Sequence, residues 1–413
     1  MKKLRVAVLS DHPSNKDPRI WRMTKTLVEL GYEATLFCQK EKGDREYDYE
    51  DNIHIRRVLD YKLGTSVLID KYLIAHFQLR DALLKEERFD IFHCHDPETW
   101  PIGYLMAREQ KAKWIADSHE YFPDYIEKRN YGDDINKYNT AVQLGKNRGN
   151  YIRFADGVIA VSEEMLHVLS NEYSLTCPRT VIFNTRYSSH IMTKSKQKTR
   201  QELGLSEEFK YFVFAGNIMP DRGIDTIIEM IKMMPDHFRL IIIGDGLLDD
   251  YVKEEHKQSH KIIYLGRLEY IDLIKYVYAC DGYLYFPHHY GENVLRNYKY
   301  AIPNKLFDAI FSDIPFFTYD GFAFSEIVKK FRVGVTYPIG KDIASITDDI
   351  VNKLNNNAFA KESFEQAKIY YSWENQKYKL DSLYKDIFRE ELKSHISHPN
   401  KVKTKDFLFS FSE

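Results

Sequence analysis

Residues 302–315 read Ile-Pro-Asn-Lys-Leu-Phe-Asp-Ala-Ile-Phe-Ser-Asp-Ile-Pro and predict a helix that runs into a short strand over 314–318. The Pro-Asn pair is typical of a helix start, and Asn304 is predicted to cap the first turn. Free N–H groups at such a turn attract an anion such as a diphosphate. Asp308, one turn deeper, could accept hydrogen bonds from ribose hydroxyls. The stretch also fits an ordinary helix start, so its meaning depends on the rest of the chain.

The same alternation of strand and helix runs through both halves of the chain. In the first half, apolar runs predict strands over 6–9, 34–38, 53–58, 91–94, 114–117, 157–161 and 180–183. In the second half, they predict strands over 211–215, 240–243, 262–265, 282–286, 315–318 and 333–336. This pattern predicts an α/β fold of two doubly wound, Rossmann-like domains. Ligands bind beyond the carboxyl ends of such strands, so one cleft is expected where the domains face each other.

Composition along the chain predicts the domain boundaries. Residues 188–208 are polar without apolar periodicity and are predicted to link an N-terminal domain over 1–187 to a second domain over 209–370. The remaining segment, 371–413, begins with apolar side chains on a helical repeat, Trp373 and Tyr384 among them. It is predicted to form a helix that packs back across the domains, and its tail over 393–413 has no assigned role.

The overall composition argues against several classes of protein. The 413 residues include 59 basic and 61 acidic ones, a formal charge of −2, whereas a nucleic-acid binder usually has a basic excess. None of the four cysteines forms a Cys-x-x-Cys pair, and they are predicted to be reduced thiols, with Cys38 and Cys94 on buried strands. The chain shows neither a signal peptide nor the ~20 apolar residues of a membrane span. A cytoplasmic protein is expected, at most bound peripherally to the inner face of a membrane.

Glycine-containing turns follow the strands of the second half. The turn that begins at Gly216 would let a phosphate approach the backbone, and Arg222 in the same turn could neutralise it. Later turns supply Gly244, Arg267 and Leu268, which could contact a nucleotide base. Ordinary turn geometry explains these residues equally well.

Histidines and carboxylates cluster at three strand ends of the first half, in the runs 11–19, 93–96 and 117–120. Packing alone does not explain them, and they are predicted to form a polar cleft floor that binds hydroxyl groups. Zinc is an alternative partner for His93, His95 and His119, but no further ligand motif accompanies them, so no metal is predicted. A buried histidine satisfied by hydrogen bonds is the third interpretation.

Taken together, these motifs resemble the large retaining glycosyltransferase family 4, whose two Rossmann-like domains form the GT-B fold. The resemblance covers roughly residues 5–390. It rests on six motifs: Asp-Pro-Arg at 17–19, His-x-His-Asp at 93–96, Asp-Ser-His-Glu at 117–120, Ala-Asp-Gly-Val-Ile-Ala-Val-Ser at 155–162, Arg-Gly at 222–223 and Pro-Asn-Lys-Leu-Phe-Asp at 303–308.

The resemblance implies the activity. The family transfers a sugar from a nucleotide-diphosphate sugar to a hydroxyl group, with retention at the anomeric carbon. No cofactor and no obligatory metal are expected, because basic side chains and helix ends hold the diphosphate. The second domain would bind the donor, and the first mainly the acceptor.

The resemblance also carries roles to single residues. Arg222 matches the family's phosphate-binding lysine, and Asp308 matches the second acid of a paired-Glu motif that holds the ribose. His119 matches the first-domain histidine near the reacting sugar. Two positions depart from the family: Tyr300 stands where many members have a glutamate that contacts the donor sugar, and Asn217 stands where an arginine often assists.

The predicted site follows from these matches. Its catalytic residues are His119 and Arg222. The donor is expected to contact Gly216, Asn217, Arg222, Gly244, Arg267, Leu268, Glu292, Asn304, Lys305 and Asp308. Within that set, Glu292 is expected to bind part of the donor sugar in place of the glutamate that Tyr300 replaces. The acceptor side of the cleft is expected to contain Asp11, Asp17, Arg19, His95, Asp96 and Glu120.

The sequence therefore predicts a hexosyltransferase of bacterial surface polysaccharide biosynthesis. Its acceptor would be a glycan or a lipid-linked molecule, and residues 121–153, rich in Tyr, Lys and Arg, could contact acceptor or lipid head groups. Two alternatives stay open. A nucleotide-sugar epimerase of the same fold would consume the donor without an acceptor. A non-enzymatic nucleotide-sugar-binding subunit of a glycan assembly complex would keep the site without turnover, and the departures at Tyr300 and Asn217 favour that alternative. The sugar, base and linkage are not specified.

Overall fold

A computed structural model describes residues 3–13, 17–59, 68–124, 134–188, 194–288 and 296–397. Its N-terminal half contains an eight-stranded sheet. The strands are β1 Arg5–Pro13, β2 Glu33–Gln39, β3 Tyr47–Glu50, β4 Ile53–Leu59, β5 Ile91–His95, β6 Lys113–Ser118, β7 Gly157–Ala160 and β8 Arg179–Val181. Their order is β3-β4-β2-β1-β5-β6-β7-β8. All neighbours pair in parallel except β3 and β4.

Helices of the first half connect these strands. They are α1 Pro18–Glu29, α2 Leu68–Leu84, α3 Asp96–Gln110, α4 Ile135–Gly149 and α5 Glu163–Tyr173. Asp17 caps α1 by accepting from the backbone N–H of Arg19 at 2.8 Å and of Ile20 at 3.3 Å. Strand β1 continues through Pro13, beyond the apolar run 6–9 from which it was predicted.

The second half contains a six-stranded parallel sheet in the order β11-β10-β9-β12-β13-β14. Its strands are β9 Lys210–Ala215, β10 Phe238–Ile243, β11 Ile262–Tyr264, β12 Gly282–Tyr285, β13 Phe316–Tyr319 and β14 Gly334–Tyr337. Every residue of β10 is buried, as expected for a strand that is covered by helices on both faces. The predicted architecture of two doubly wound parallel sheets is confirmed.

Helices of the second half begin inside the segment predicted as a linker. They are α6 Lys196–Glu202, α7 Ile224–Met233, α8 Asp249–Gln258, α9 Tyr270–Ala279, α10 Arg296–Tyr300, α11 Asn304–Phe311, α12 Ala323–Phe331, α13 Ile343–Asn355, α14 Lys361–Tyr371 and α15 Trp373–Ser397. On α6, Arg200 donates to the Ala279 carbonyl at 2.8 Å and to Asp281 at 2.7 Å. Part of the predicted linker therefore docks on the second sheet's helices.

The last helix crosses back, as predicted. Helix α14 packs on α11 and α12, whereas Trp373, Leu380 and Tyr384 of α15 are buried against the first sheet. The Trp373 indole N–H donates to the Thr26 hydroxyl at 2.9 Å. None of the helices in the described ranges is long and apolar enough to span a membrane.

Candidate active site

A cavity of about 490 Å³ lies between the carboxyl ends of the two sheets, where a doubly wound fold binds ligands. The first half lines it with polar side chains that include His12, Asp17, Arg19, Asp96, His119 and Glu120. The second half lines it with Arg222, Tyr285, Asn297, Tyr298 and Asn304. The predicted acidic and histidine clusters therefore meet the predicted donor turn across one space.

His119 is the centre of the first wall. Asp96, the first residue of α3, accepts from the His119 backbone N–H at 2.9 Å, and its other oxygen lies 3.1 Å from the ring Nδ1. Burial alone would lower the pKa of His119, but the charges of Asp96 and Asp117 outweigh it and raise the pKa to about 10. His119 is therefore an imidazolium at neutral pH.

Asp117 lies behind His119 and is completely buried. Its Oδ1 accepts from the Arg19 guanidinium at 2.8 Å, and its Oδ2 lies 3.3 Å from His95 Nδ1, 3.5 Å from His93 Nε2 and 3.6 Å from His119 Nε2. Burial raises the pKa of this carboxyl, but the charges of Arg19 and His119 bring it well below its usual range. Asp117 is therefore an anion that lies between two cations.

Two predicted cleft residues are buried in the polar cluster around Asp117. His95 is buried behind His119 and does not line the cavity; its Nδ1 lies 3.0 Å from His119 Nε2. Burial lowers the pKa of His95 to about 4, so its ring is neutral beside the His119 imidazolium. Arg19 reaches the cavity wall, but its buried guanidinium is used by Asp117 and by the Ile182 carbonyl at 2.6 Å.

Within the described part of the chain, His93, His95 and Asp117 lie close enough to hold a metal ion, with ligand atoms within 4.8 Å of one another. Arg19 and His119 already place two positive charges beside Asp96 and Asp117. A divalent cation would therefore meet two cations that are already in place in a buried site. The absence of a metal at this cluster therefore remains a prediction.

The remaining acids of the first wall differ in environment. Asp17 lines the cavity with its carboxylate at the start of α1. Glu120 lines it as well, and burial raises its pKa while Asn297 donates to it. Asp11 lies at the end of β1, where burial raises its pKa, but it does not line the cavity.

The second wall brings two cations to one tyrosine. Arg222 ends a 3-10 helix, and its Nη1 lies 3.2 Å from the Tyr285 hydroxyl. The Lys305 ammonium, on the first turn of α11, lies 4.1 Å from the centre of the Tyr285 ring. A Cβ on Gly216 would come within 3.3 Å of that ammonium, and the φ of +132° there also favours glycine. Burial, and next the charge of Arg222, lower the pKa of Lys305 to about 7.

Helix α11 differs from the prediction in its cap. Pro303 occupies the cap position without a side-chain hydrogen bond, and Asn304 is the first helical residue. Prolines hold the extended backbone that this position needs, so Asn304 is left to line the cavity. The prediction that Asn304 caps the helix is therefore wrong.

Asp308 lies in an adjoining cavity of about 510 Å³ that shares Asn304 with the first one. Its carboxylate is buried and pairs with Arg186, and the Tyr270 hydroxyl donates to it at 3.4 Å. A ribose that binds here would have to share the Asp308 carboxylate with Arg186.

Several predicted donor contacts lie away from the cavity. Gly244 approaches the Gly216 carbonyl so closely that a Cβ would be 2.0 Å from it, which gives this glycine a packing role. The Arg267 side chain is 81% exposed and lies 3.8 Å from Asp245. Neither Asn217 nor Leu268 lines the cavity, Asn217 being exposed and Leu268 packing against the core. Glu292 lies outside the described residues.

The position of Tyr300 explains one departure from the family pattern. Its ring packs edge-on against Tyr121 at 5.0 Å, and its carbonyl accepts from the Ser162 hydroxyl at 2.7 Å. Next to it, Asn297 accepts from the Tyr121 backbone at 2.7 Å. Helix α10 thus joins the two halves. Asn297 and Tyr285 belong to no recognisable motif, and neither was predicted from the sequence.

Comparison with known proteins agrees with this geometry. The model for "Glycosyltransferase Family 4" matches residues 19–185, and the model for "Glycosyl transferases group 1" matches residues 195–369. The chain belongs to glycosyltransferase family 4. An uncharacterized glycosyltransferase of Methanocaldococcus jannaschii, MJ1607, is 21% identical over 245 residues. The match spans 54% of this chain and 57% of that relative, a little over half of each.

Solved structures share the fold of this glycosyltransferase. Sucrose-phosphate synthase from Thermosynechococcus elongatus has a TM-score of 0.74 at 14% identity, over 94% of this chain and 100% of that one. Alr3699/HepE of Anabaena in complex with UDP has a TM-score of 0.66 at 18% identity, over 95% and 100%. The predicted GT-B fold is confirmed.

Proposed function

We propose that this glycosyltransferase moves a hexose from a nucleotide-diphosphate sugar to a hydroxyl group with retention at the anomeric carbon, without a cofactor or obligatory metal. One observation carries the proposal: Arg222 and Tyr285 line one wall of the cavity, Lys305 packs against the Tyr285 ring, and charged His119 lies on the opposite wall. Two nearby cations suit a diphosphate leaving group, and the acids around His119 suit sugar hydroxyls.

The donor end rests on electrostatics. An ammonium beside a guanidinium is unfavourable until an anion arrives, and the lowered pKa of Lys305 reflects burial first and the charge of Arg222 next. The first N–H groups of α11 lie at the same place and add the positive end of the helix dipole. Lys305 thereby supplies the second cation that the family pattern places at Asn217. Alr3699/HepE was solved with UDP and with UDP-glucose, which supports UDP as the first nucleotide to test.

The chemical step needs charge stabilisation where the sugar leaves. As the bond to the anomeric carbon breaks, negative charge develops on the diphosphate, and Arg222, Lys305 and the helix start stabilise it. On the opposite wall, Asp96 and Asp117 keep His119 charged and fixed, so that its ring can orient the sugar. Asp17, Asp96 and Glu120 offer acceptors for hydroxyl groups of the incoming molecule.

The acceptor side of the proposal is a glycan or lipid-linked molecule in the synthesis of bacterial surface polysaccharide. The neighbour WaaG, a glycosyltransferase involved in lipopolysaccharide biosynthesis, has the same fold at a TM-score of 0.64 and supports this class. An enzyme with such an acceptor would work in the cytoplasm, in peripheral contact with the inner face of a membrane. Part of the segment proposed for the contact, 125–133, lies outside the described residues.

The proposal is tested by following nucleotide-sugar consumption and product stereochemistry by NMR, with sugars of UDP and GDP and with and without a glycan acceptor. A product that keeps the donor's anomeric configuration supports retention, and an inverted product contradicts it. Consumption without acceptor that yields the epimeric nucleotide sugar would instead show the epimerase.

A non-catalytic nucleotide-sugar-binding subunit is the second candidate. It is favoured by Tyr300, which packs against Tyr121, and by Asp308, which pairs with Arg186. Nucleotide binding without consumption of any donor, with glycan acceptors present, would favour it.

A further inference from the structure

Helix α15 reaches the site through one hydroxyl group. Tyr384 is completely buried against the first sheet, and its hydroxyl lies 2.8 Å from His93 Nδ1. The other nitrogen of His93, Nε2, lies 3.5 Å from Asp117 Oδ2. Asp117 is in turn the anion behind His119. A line of polar contacts thus connects the C-terminal helix to the cavity wall.

The direction of these contacts follows from the chemistry of the groups. Burial raises the pKa of Tyr384, so the hydroxyl keeps its proton and can donate it to His93 Nδ1. A bare ring nitrogen facing a carboxylate oxygen would repel it, so the His93 proton belongs on Nε2, toward Asp117. The two requirements agree, since a neutral imidazole accepts at one nitrogen and donates at the other.

We propose that Tyr384 is a positioning residue for glycosyl transfer, which fixes the tautomer of His93 and thereby the carboxylate of Asp117 that supports His119. This inference rests on the proposed function. Without the hydroxyl, His93 Nδ1 would be buried without a donor, and the ring could move its proton there. Nε2 would then turn a lone pair toward Asp117, and the support of His119 would weaken.

The role differs from packing alone. Leu380 and Trp373 also bury α15 against the first sheet, but Leu380 has no polar side-chain atom and the Trp373 indole donates to Thr26, not to the histidine cluster around Asp117. Tyr384 contributes a polar atom to that cluster from a helix that follows the whole second sheet in the chain. The packing of the C-terminal helix on the first sheet therefore helps to form the site. The six motifs that carry the family resemblance do not include Tyr384.

Tyr384→Phe removes the hydroxyl and keeps the ring. The matched control is Tyr337→Phe, which removes another buried tyrosine hydroxyl, one that donates to Asp349 at 2.9 Å in the second half. We expect a kcat about fivefold lower for Tyr384→Phe, the effect of one ordinary hydrogen bond, with an unchanged donor KM. Tyr337→Phe should lower the Tm as much as Tyr384→Phe does but keep the wild-type kcat.

Histidine-selective ¹⁵N NMR supplies a readout that needs neither donor nor turnover. The His93 signal, assigned from its absence in His93→Gln, should show the Nε2–H tautomer in the wild type and a mixture in Tyr384→Phe. An Nδ1–H tautomer in the wild type, or an unchanged His93 signal together with an unchanged kcat in Tyr384→Phe, would overturn the proposal. If the protein transfers no sugar, the proposed function is wrong. The tautomer of His93 in the wild type still tests the contact with Tyr384, because that measurement needs no transfer.

Discussion

Asp96 holds His119 at two points: one carboxylate oxygen accepts from the His119 backbone N–H at 2.9 Å, and the other lies 3.1 Å from its ring Nδ1. The φ of Asp96 is +60°, which places the carboxylate at the first turn of α3 and over the next strand end. Strands β5 and β6 are parallel neighbours in the sheet. One residue at the end of each therefore forms a fixed, charged pair at the wall of the cavity.

Replacing His119 with alanine should reduce turnover about 10²-fold, because a fixed charge at the reacting sugar would be removed. Donor affinity should stay within about threefold, since the cations for the diphosphate lie on the opposite wall. The measurements are kcat with the preferred donor and calorimetric titration with its nucleotide. His167→Ala, at an exposed histidine on α5, is the control. An unchanged transfer rate would leave His119 with a structural role only.

The contribution of His119 to the free energy of unfolding should fall in alkaline solution. Its pKa is about 10 in the folded chain against an ordinary value of 6.5, so its contribution is complete below pH 6.5 and is lost as the pH rises toward 10. The loss can reach about 1.4 kcal/mol per pH unit. Urea unfolding at pH 6, 8 and 9.5 measures it. Lys305, whose pKa is lowered to about 7, titrates in the opposite sense over part of this range, so the wild type is compared with His119→Gln at each pH. The difference in the free energy of unfolding between the two should shrink from pH 6 to pH 9.5, and a constant difference would contradict the assignment.

The contribution of Asp117 to the free energy of unfolding should be lost in acid rather than in alkali. Its folded-state pKa lies well below the ordinary 3.8, so its contribution is present above pH 3.8 and disappears as the pH falls further. Asp117→Asn should destabilise the chain by about 3–5 kcal/mol at pH 7, since it leaves buried Arg19 without its anion. Unfolding by urea at that pH compares it with Asp381→Asn, which removes only an exposed pair with Lys385. Equal losses in the two variants would refute the role of Asp117.

UDP should bind more weakly as the pH rises above about 7. The pKa of Lys305 is about 7 in the unliganded chain, and an anion favours its charged form, so binding at higher pH must take up a proton. Calorimetry in buffers of different ionisation enthalpy detects that proton. Lys305→Met should bind UDP more weakly and without proton uptake, whereas Lys329→Met, at a lysine paired with Asp320 and Glu326, should match the wild type. Identical pH profiles for Lys305→Met and the wild type would exclude Lys305 from the donor site.

Removing the donor contacts should weaken nucleotide binding to different degrees. Arg222→Ala should reduce affinity about 10²-fold, because a charged partner of the diphosphate is removed. Asp308→Ala should reduce it about tenfold, because a ribose acceptor is removed. Arg267→Ala is the internal control, because that exposed side chain lies away from the cavity. Full affinity in both Arg222→Ala and Asp308→Ala would remove the proposed donor site.

The sheets could be predicted from sequence because their strands are continuous apolar runs between polar turns. Strand β3 is the exception: its Tyr-Asp-Tyr-Glu sequence is exposed along its whole length and has no apolar face to recognise. Helix α6 was missed for a similar reason. It is held by the ion pair and carbonyl contact of Arg200 rather than by an apolar stripe.

The site could be predicted only where it follows strand ends. Asp96 and His119 end neighbouring strands, and parallel strands bring such residues together. Asn297 lies 176 residues after its partner Tyr121, and Tyr384 lies 291 residues after His93. Both reach the site through the packing of α10 and α15. No local pattern specifies such contacts. Lys305 was predicted at the donor site, but its lowered pKa depends on the position of Arg222 in the fold.

The most direct test of the donor site is thermal unfolding of the wild type and of Arg222→Ala, without metal, against UDP, GDP, ADP, CDP and dTDP. A nucleotide at about 100 times its Kd stabilises the folded chain by about 2.7 kcal/mol, which is readily measured as a rise in Tm. We predict that at least one nucleotide raises the Tm of the wild type and that Arg222→Ala loses most of that rise. No shift with any of the five would contradict the proposal that Arg222 and Lys305 form a site for a nucleotide-diphosphate sugar.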